Sequence, residues 1–179
     1  MDQVIQDVVN IVSYKIEEQG IGFRLSKDPL VPNWFFGDQK RIEQILLNIL
    51  NNAAKFTASG EVSLDVRLVA REKEKYHLSF SIKDTGIGMT EEQVKKLFVP
   101  FTQGDSSINR RFGGSGLGLS IVKNLLDMMG GNIQLFSTPG EGSTFIIQLS
   151  LSIDKEKEEL YAKTFSATQI GRASCRERV

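Results

Sequence analysis

The sequence predicts a two-layer α/β sandwich, a mixed and partly antiparallel sheet covered on one face by about three helices. Three observations carry this prediction. Segments with strand alternation and segments with helical periodicity both occur, but they do not follow the strict βαβ order of a parallel sheet. Two alternating segments are separated by the charged run Arg71-Glu72-Lys73-Glu74-Lys75, which predicts an antiparallel hairpin. Neither GxGxxG nor GxxxxGK[ST], the phosphate loops of doubly wound parallel sheets, occurs in the chain.

Taken in order, Val4, Ile5, Val8, Val9, Ile11, Val12 and Ile16 recur at helical spacing over 2–19, and Gly20 is placed to stop that helix. Ile21 to Leu25 alternates as a strand does. Asp28-Pro29 and Val31-Pro32 then break the chain before a short extended segment at Trp34-Phe35-Phe36. Asp38 is suited to cap a long helix reaching about Phe56, with Ile42, Ile45, Leu46, Ile49, Leu50 and Ala53 as its apolar stripe. Glu61 to Val69 and Tyr76 to Ile82 are the two arms of the hairpin. Thr90 caps a short helix from Glu91 to Phe98, and Phe101 to Gly116 is polar and aperiodic. Leu117 to Met129 is helical again. Strands at Asn132 to Phe136 and Ser143 to Leu151 flank the turn Thr138-Pro139-Gly140-Glu141-Gly142.

Composition narrows the function classes. With 179 residues, 40% apolar and 25% charged, the chain is an ordinary globular length and composition. Lysine plus arginine (22) equals aspartate plus glutamate (22), so no basic excess points to nucleic acid, and any phosphate chemistry is local. No run of about eighteen apolar residues spans a bilayer and no signal peptide is evident, which predicts a cytoplasmic domain without direct membrane contact. The expected organisation is one domain over 1–153, a charged linker over 154–169, and a tail over 170–179 that stands outside the fold. The lone cysteine, Cys175, lies in that tail, so the domain has no disulfide or thiolate metal site.

Three stretches carry candidate chemistry. Gln44, Asn48 and Asn52 are spaced by four on one face of the second helix, with Asn51 and Lys55 beside it. Amide oxygens are hard ligands suited to Mg²⁺, which takes one or two protein oxygens and completes its shell with phosphate and water. Asn52 fits that role, and Lys55 adds a positive charge a turn further on. A solvated helix face explains the same pattern taken alone. Asp84-Thr85-Gly86-Ile87-Gly88 follows a strand directly, placing at its end an acceptor-only carboxylate suited to the exocyclic amine of adenine, with Thr85 and a water available to the other ring atoms. An ordinary turn has the same composition. Gly113 to Leu119 (GGSGLGL) leads into a helix, whose N-terminal N–H groups and dipole attract phosphate. The preceding Thr102 to Phe112 reads as a lid from which Arg110 and Arg111 reach the terminal phosphate, or as a solvated loop. His77 sits beside Tyr76 in a strand, apart from acidic partners in sequence, and reads as structural.

In order, these motifs resemble those of sensor histidine kinases. Asn48 to Thr57 (NILNNAAKFT) is similar to their asparagine box and Asp84 to Gly88 (DTGIG) to their first glycine box. Leu97 to Phe101 (LFVPF) is similar to the phenylalanine box, Arg110 to Leu119 (RRFGGSGLGL) to the second glycine box, and Thr138 to Phe145 (TPGEGSTF) to the third. The resemblance covers about residues 2–151. It implies the α/β sandwich shared by gyrase, heat-shock chaperone, histidine kinase and mismatch-repair ATPases, the Bergerat-type fold, with Mg-ATP under a mobile lid. Residue by residue it implies Mg²⁺ on Asn52, support from Asn48, phosphate contact from Lys55, and Phe56 beside the nucleotide. Asp84 would bind the adenine amine, and Gly86, Gly88, Gly114, Gly116 and Gly118 would shape the cleft. Phe101, Leu117 and Thr144 join the nucleotide-contacting set by the same carry-over. Asn109 departs from the serine or threonine common before the basic pair. Ile170 to Val179 resembles translated sequencing-adapter DNA.

The family's phosphoacceptor box, a histidine followed by an acidic residue, does not occur, since His77 precedes Leu78 and Ser79. The expected function is therefore half of an enzyme, holding ATP for a histidine on a separate dimerisation domain, with a response regulator or receiver domain downstream. An ATPase or serine kinase of the anti-sigma type, and an adaptor that binds nucleotide without catalysis, are the alternatives.

Overall fold

A computed structural model describes residues 1–97, 118–154, 156, 157 and 159. Its elements are α1 (Asp2–Glu18), β1 (Gly22–Lys27), β2 (Phe35–Phe36), α2 (Gln39–Phe56), β3 (Glu61–Glu72), β4 (Lys75–Asp84), α3 (Glu91–Leu97), α4 (Gly118–Met128), β5 (Asn132–Thr138) and β6 (Gly142–Ile153). The expected fold class holds. Six strands form one mixed sheet in the order β1-β3-β4-β6, with β1 parallel to β3 and every other pairing antiparallel. The outer side of β6 is shared, β5 lying along Gly142 to Gln148 and β2 along Ser152 and Ile153.

The helices form where capping and periodicity agree. At the start of α2 the Asp38 carboxylate accepts from Arg41 N–H at 3.1 Å, satisfying a donor that the first turn leaves open. Thr90 and Gln93 cap α3 reciprocally, Thr90 N–H donating to Gln93 Oε1 at 2.8 Å and Gln93 N–H to Thr90 Oγ1 at 3.4 Å. At the end of α1, Gly20 N–H donates to Glu17 C=O and Ile21 N–H to Ile16 C=O, which turns the chain into β1.

One core lies between sheet and helices. Ile42, Ile45, Leu46, Ile49 and Leu50 of α2 are buried against Leu64 of β3, Phe80 and Ile82 of β4 and Ile147 of β6, with Val8, Val12 and Ile16 of α1 and Val122 and Leu126 of α4 alongside. Each fully buried aliphatic side chain contributes roughly 1.5–3 kcal/mol. The helix-one stripe is narrower than its sequence suggests, because Ile11 points away from the core and is 58% exposed. The hairpin is also longer. Arg71↔Tyr76 and Glu72↔Lys75 are paired, and only Lys73 and Glu74 connect the strands. The charged residues that mimic a loop in the sequence sit on solvated strand ends, where Arg71 lies 4.9 Å from the centre of the Tyr76 ring.

The hairpin also gives His77, expected to lack an acidic partner, a neighbour in Glu72. His77 Nε2 is 3.6 Å from Glu72 Oε2 and Nδ1 is 2.8 Å from Ser150 Oγ, on the sheet face away from the helices. No described helix is long and apolar enough to cross a membrane. The stretch from residue 160 onward, including the tail 170–179, lies outside the described residues.

Candidate functional site

The site is built where the C-terminal half of α2 meets the end of β4. On α2, the i, i+4 spacing carries Asn48 and Asn52 to the side that faces the start of α4. A Cβ placed on Gly118 would stand 3.8 Å from Asn48 Oδ1 and 4.0 Å from Asn52 Nδ2. The amide face is thus set against Gly118, the first described residue of α4. Asn51, one turn-position aside, is turned toward α1 and accepts from Lys15 Nζ at 3.5 Å. Lys55 lies 5.1 Å from the centre of the Phe56 ring, a cation resting on an aromatic face.

Asp84 ends β4 and is only 5% exposed as a residue. Its Oδ1 accepts two backbone hydrogen bonds, from Gly86 N–H at 2.9 Å and Ser143 N–H at 3.3 Å. Oδ2 accepts none from the described residues. Burial pushes the carboxyl above its ordinary value, and the two N–H donors pull part of the way back. An acceptor so placed is poised for a ligand that brings its own N–H.

The loop after Asp84 is fastened on three sides. Ile87 N–H donates to Phe56 C=O at the end of α2, Thr85 N–H to Glu61 C=O at the start of β3, and Gly140 N–H to Ile87 C=O from the β5–β6 turn. These bonds leave no room for side chains. A Cβ on Gly86 would stand 2.3 Å from Phe56 O, and one on Gly88, whose φ is +63°, would stand 1.9 Å from Thr138 O. The loop needs glycine at both positions for contact, and at Gly88 for conformation as well.

The geometry bears on two expectations. Thr85 Oγ1 is engaged by β3, accepting from Glu61 N–H at 3.0 Å and donating to Glu61 C=O at 3.4 Å, which locks the loop to that strand. Thr144 pairs with Lys83 and Phe136, on the sheet face opposite to Asp84. Ser143, directly across from Asp84, is the residue that shares its face. Alternation through Phe145, Ile147 and Leu149, all buried, carries that signal in the sequence. Ser137 was missed as well, and nothing local to it reveals that its hydroxyl touches Met89, Gly142 and Ser143. Phe101, Arg110, Arg111, Gly114, Gly116 and Leu117 lie outside the described residues.

Fold and site together define an α/β sandwich in which a buried strand-end aspartate lies beside a helix with an amide-lined face. Comparison with known proteins agrees. Residues 37–153 match the family described as histidine kinase-, DNA gyrase B- and HSP90-like ATPase. The chain is 40% identical over 151 residues to hybrid signal transduction histidine kinase B of Dictyostelium discoideum, covering 84% of this chain and 8% of that protein. It is 37% identical over 150 residues to the signal transduction histidine-protein kinase BarA of Escherichia coli K12, covering 84% and 16%. Among solved structures, full-length ShkA in complex with AMPPNP superposes with a TM-score of 0.70 at 30% identity, over 84% of this chain and 30% of that one. The catalytic domain of histidine kinase ThkA gives 0.62 at 25% identity, over 83% and 90%. The chain belongs to this ATPase family, as an ATP-binding catalytic domain of the histidine kinase type. It spans less than a fifth of the length of these two curated relatives.

Proposed function

We propose that the domain binds Mg-ATP with its adenine at Asp84 and its phosphates beside Asn48, Asn52 and Lys55, and donates the γ-phosphoryl group to a histidine on a separate dimerisation domain. The observation that carries this reading is the convergence of the α2 amide face with Gly118, the first described residue of α4. The same helix ends by holding the loop after Asp84 through Phe56 C=O. One rigid element therefore connects the two ends of a nucleotide. Asp84 Oδ2 accepts the amine and fixes the base, while the N–H groups opening α4 meet phosphate oxygens.

The residues present suit Mg²⁺, since an amide oxygen is a hard ligand and the remaining positions go to phosphate and water. Asn52 would hold the ion, which when bound neutralises phosphate charge. Phosphoryl transfer rests on positioning and charge stabilisation, so the acceptor and its base come from another domain. His77 is on the sheet face away from the helices and is paired with Ser150, so it does not serve as acceptor. Lid contacts by Arg110, Arg111 and Phe101, and a phosphate cradle of Gly114, Gly116, Leu117 and Gly118, follow from the resemblance of the motifs. The relatives named as hybrid kinases support a receiver domain or response regulator as the next acceptor, in the cytoplasm where ATP is supplied.

With radiolabelled ATP and Mg²⁺, the domain alone is expected to remain unlabelled. Acid-labile label appears on the dimerisation hairpin of its parent protein when that is added, and disappears when the hairpin histidine is substituted. Stable label on the domain alone, or label on a serine, overturns the assignment. The metal role has its own check. Asn52→Ala should weaken ATP binding in the presence of Mg²⁺ by about tenfold while changing metal-free binding little. Equal losses in calorimetric titrations with Mg²⁺ and with a chelator would remove Asn52 as the metal ligand.

A further inference from the structure

We propose that Ser137 is a positioning residue for base selection, fixing the hydroxyl of Ser143 as an acceptor so that the site takes a 6-aminopurine and rejects a 6-ketopurine. The inference deepens the adenine assignment made for Asp84 and rests on it. Asp84, Ser143 and Ser137 stand in one row across β4, β6 and β5, each directly opposite the next, and so share the helix-facing side of the sheet. Asp84 and Ser143 are buried.

The hydrogen count at Ser137 has one solution. A serine hydroxyl carries one hydrogen and two lone pairs. Three groups meet Ser137 Oγ: Met89 N–H at 2.8 Å, Gly142 C=O at 3.0 Å and Ser143 Oγ at 3.0 Å. Met89 N–H donates only, so it takes one lone pair. Gly142 C=O accepts only, so it takes the hydrogen. The remaining lone pair of Ser137 faces Ser143, which must donate. Ser143 has then committed its hydrogen toward β5 and keeps only lone pairs for a ligand. Beside it, the ionised Asp84 keeps Oδ2, which also only accepts. Two acceptors on adjacent strands suit an amine with two hydrogens, and repel a keto oxygen, whose lone pairs would meet theirs. The same hydroxyl holds Met89, at the end of the loop that Gly86 and Gly88 shape, so base selection and loop placement share one residue.

Calorimetric affinities for ATP and for inosine triphosphate, the 6-keto analogue, test this. In Ser137→Ala the Ser143 hydrogen is released and turns to a keto oxygen, so the ratio of ATP to inosine triphosphate affinity should fall by about tenfold. Ser137→Thr keeps the hydroxyl and should retain the ratio. Ser137→Cys keeps the shape but donates and accepts weakly, and should show the same fall as alanine, which covers an alanine variant too unstable to titrate. A merely structural serine would weaken both nucleotides equally, and that result, or no change in either, overturns the proposal. Asp84→Asn in the same series separates the two readings. If it leaves ATP affinity intact, the adenine assignment fails. If it lowers ATP affinity while the Ser137 variants keep the wild-type ratio, only the role of Ser137 fails.

Discussion

Asp84→Asn is expected to give a folded domain that binds ATP one to two orders of magnitude more weakly. The two oxygens of Asp84 do different work. Oδ1 takes both backbone donors, and an asparagine oxygen can keep them. The amide nitrogen then falls where Oδ2 was, and meets the adenine amine donor to donor. Losing a hydrogen bond to a charged group costs roughly 1.5–3 kcal/mol, which is about ten- to hundredfold in affinity. Calorimetry with ATP reads the loss directly, and unchanged affinity in the folded variant would remove Asp84 from the base site.

Stability should move the other way. Burial raises the Asp84 carboxyl above its ordinary 3.8, so its contribution to folding is fully present below that value and is lost as pH rises through the raised one. At pH 7 the ligand-free wild type bears the cost of a buried charge that asparagine does not. The variant should melt no lower than wild type at pH 7, and its advantage should shrink as pH falls toward 3.8. ATP affinity of the wild type should fall over the same acid range, as protonation turns the acceptor into a donor.

Gly88→Ala is expected to break the loop and the turn together. A Cβ there stands 1.9 Å from Thr138 O and 2.7 Å from Thr138 C, both backbone atoms that no rotamer change can move aside. The positive φ adds about 1–2 kcal/mol and the forced shift about 1–3, so the variant should lose roughly 2–5 kcal/mol. At about 2–4 °C per kcal/mol this lowers the melting temperature by roughly 4–20 °C. Gly140→Ala is the control. Its φ is +81°, yet nothing lies within 4 Å of the added Cβ, so it bears the conformational cost alone. Equal melting temperatures for the two variants would show that contact with the turn does not matter.

Much of this was legible in the chain. The capping aspartate, the apolar stripe of α2 and the alternation of the hairpin fix those elements locally, because each property resides in the residues of one segment. Asp84 was legible for the same reason, as a carboxylate at a strand end before two glycines. The strand ends near Arg71 and Lys75 were not, since charge marks solvation and a strand exposed on one face is solvated too. The motif alone does not tell Thr144 from Ser143, because one residue of register decides which side of the sheet a group serves. Ser137 could not be read at all. Its role depends on partners 48 residues back, at Met89, and 5 and 6 residues on, at Gly142 and Ser143, and those meet only when β5 and β6 pair.

The position of β6 bears on when the site comes into being during synthesis. Among the described strands it comes last in the chain, yet it lies between β4 and β5 and supplies one of the two N–H groups on Asp84. A chain still on the ribosome after α2, the hairpin and the loop after Asp84 holds Asp84 and the amide face of α2, but β4 has an unpaired edge and Asp84 a single donor. Ser143, and with it the row to Ser137, does not yet exist. On the adenine assignment proposed for Asp84, a product cut short before β6 would carry most of the recognisable motifs and no finished base pocket.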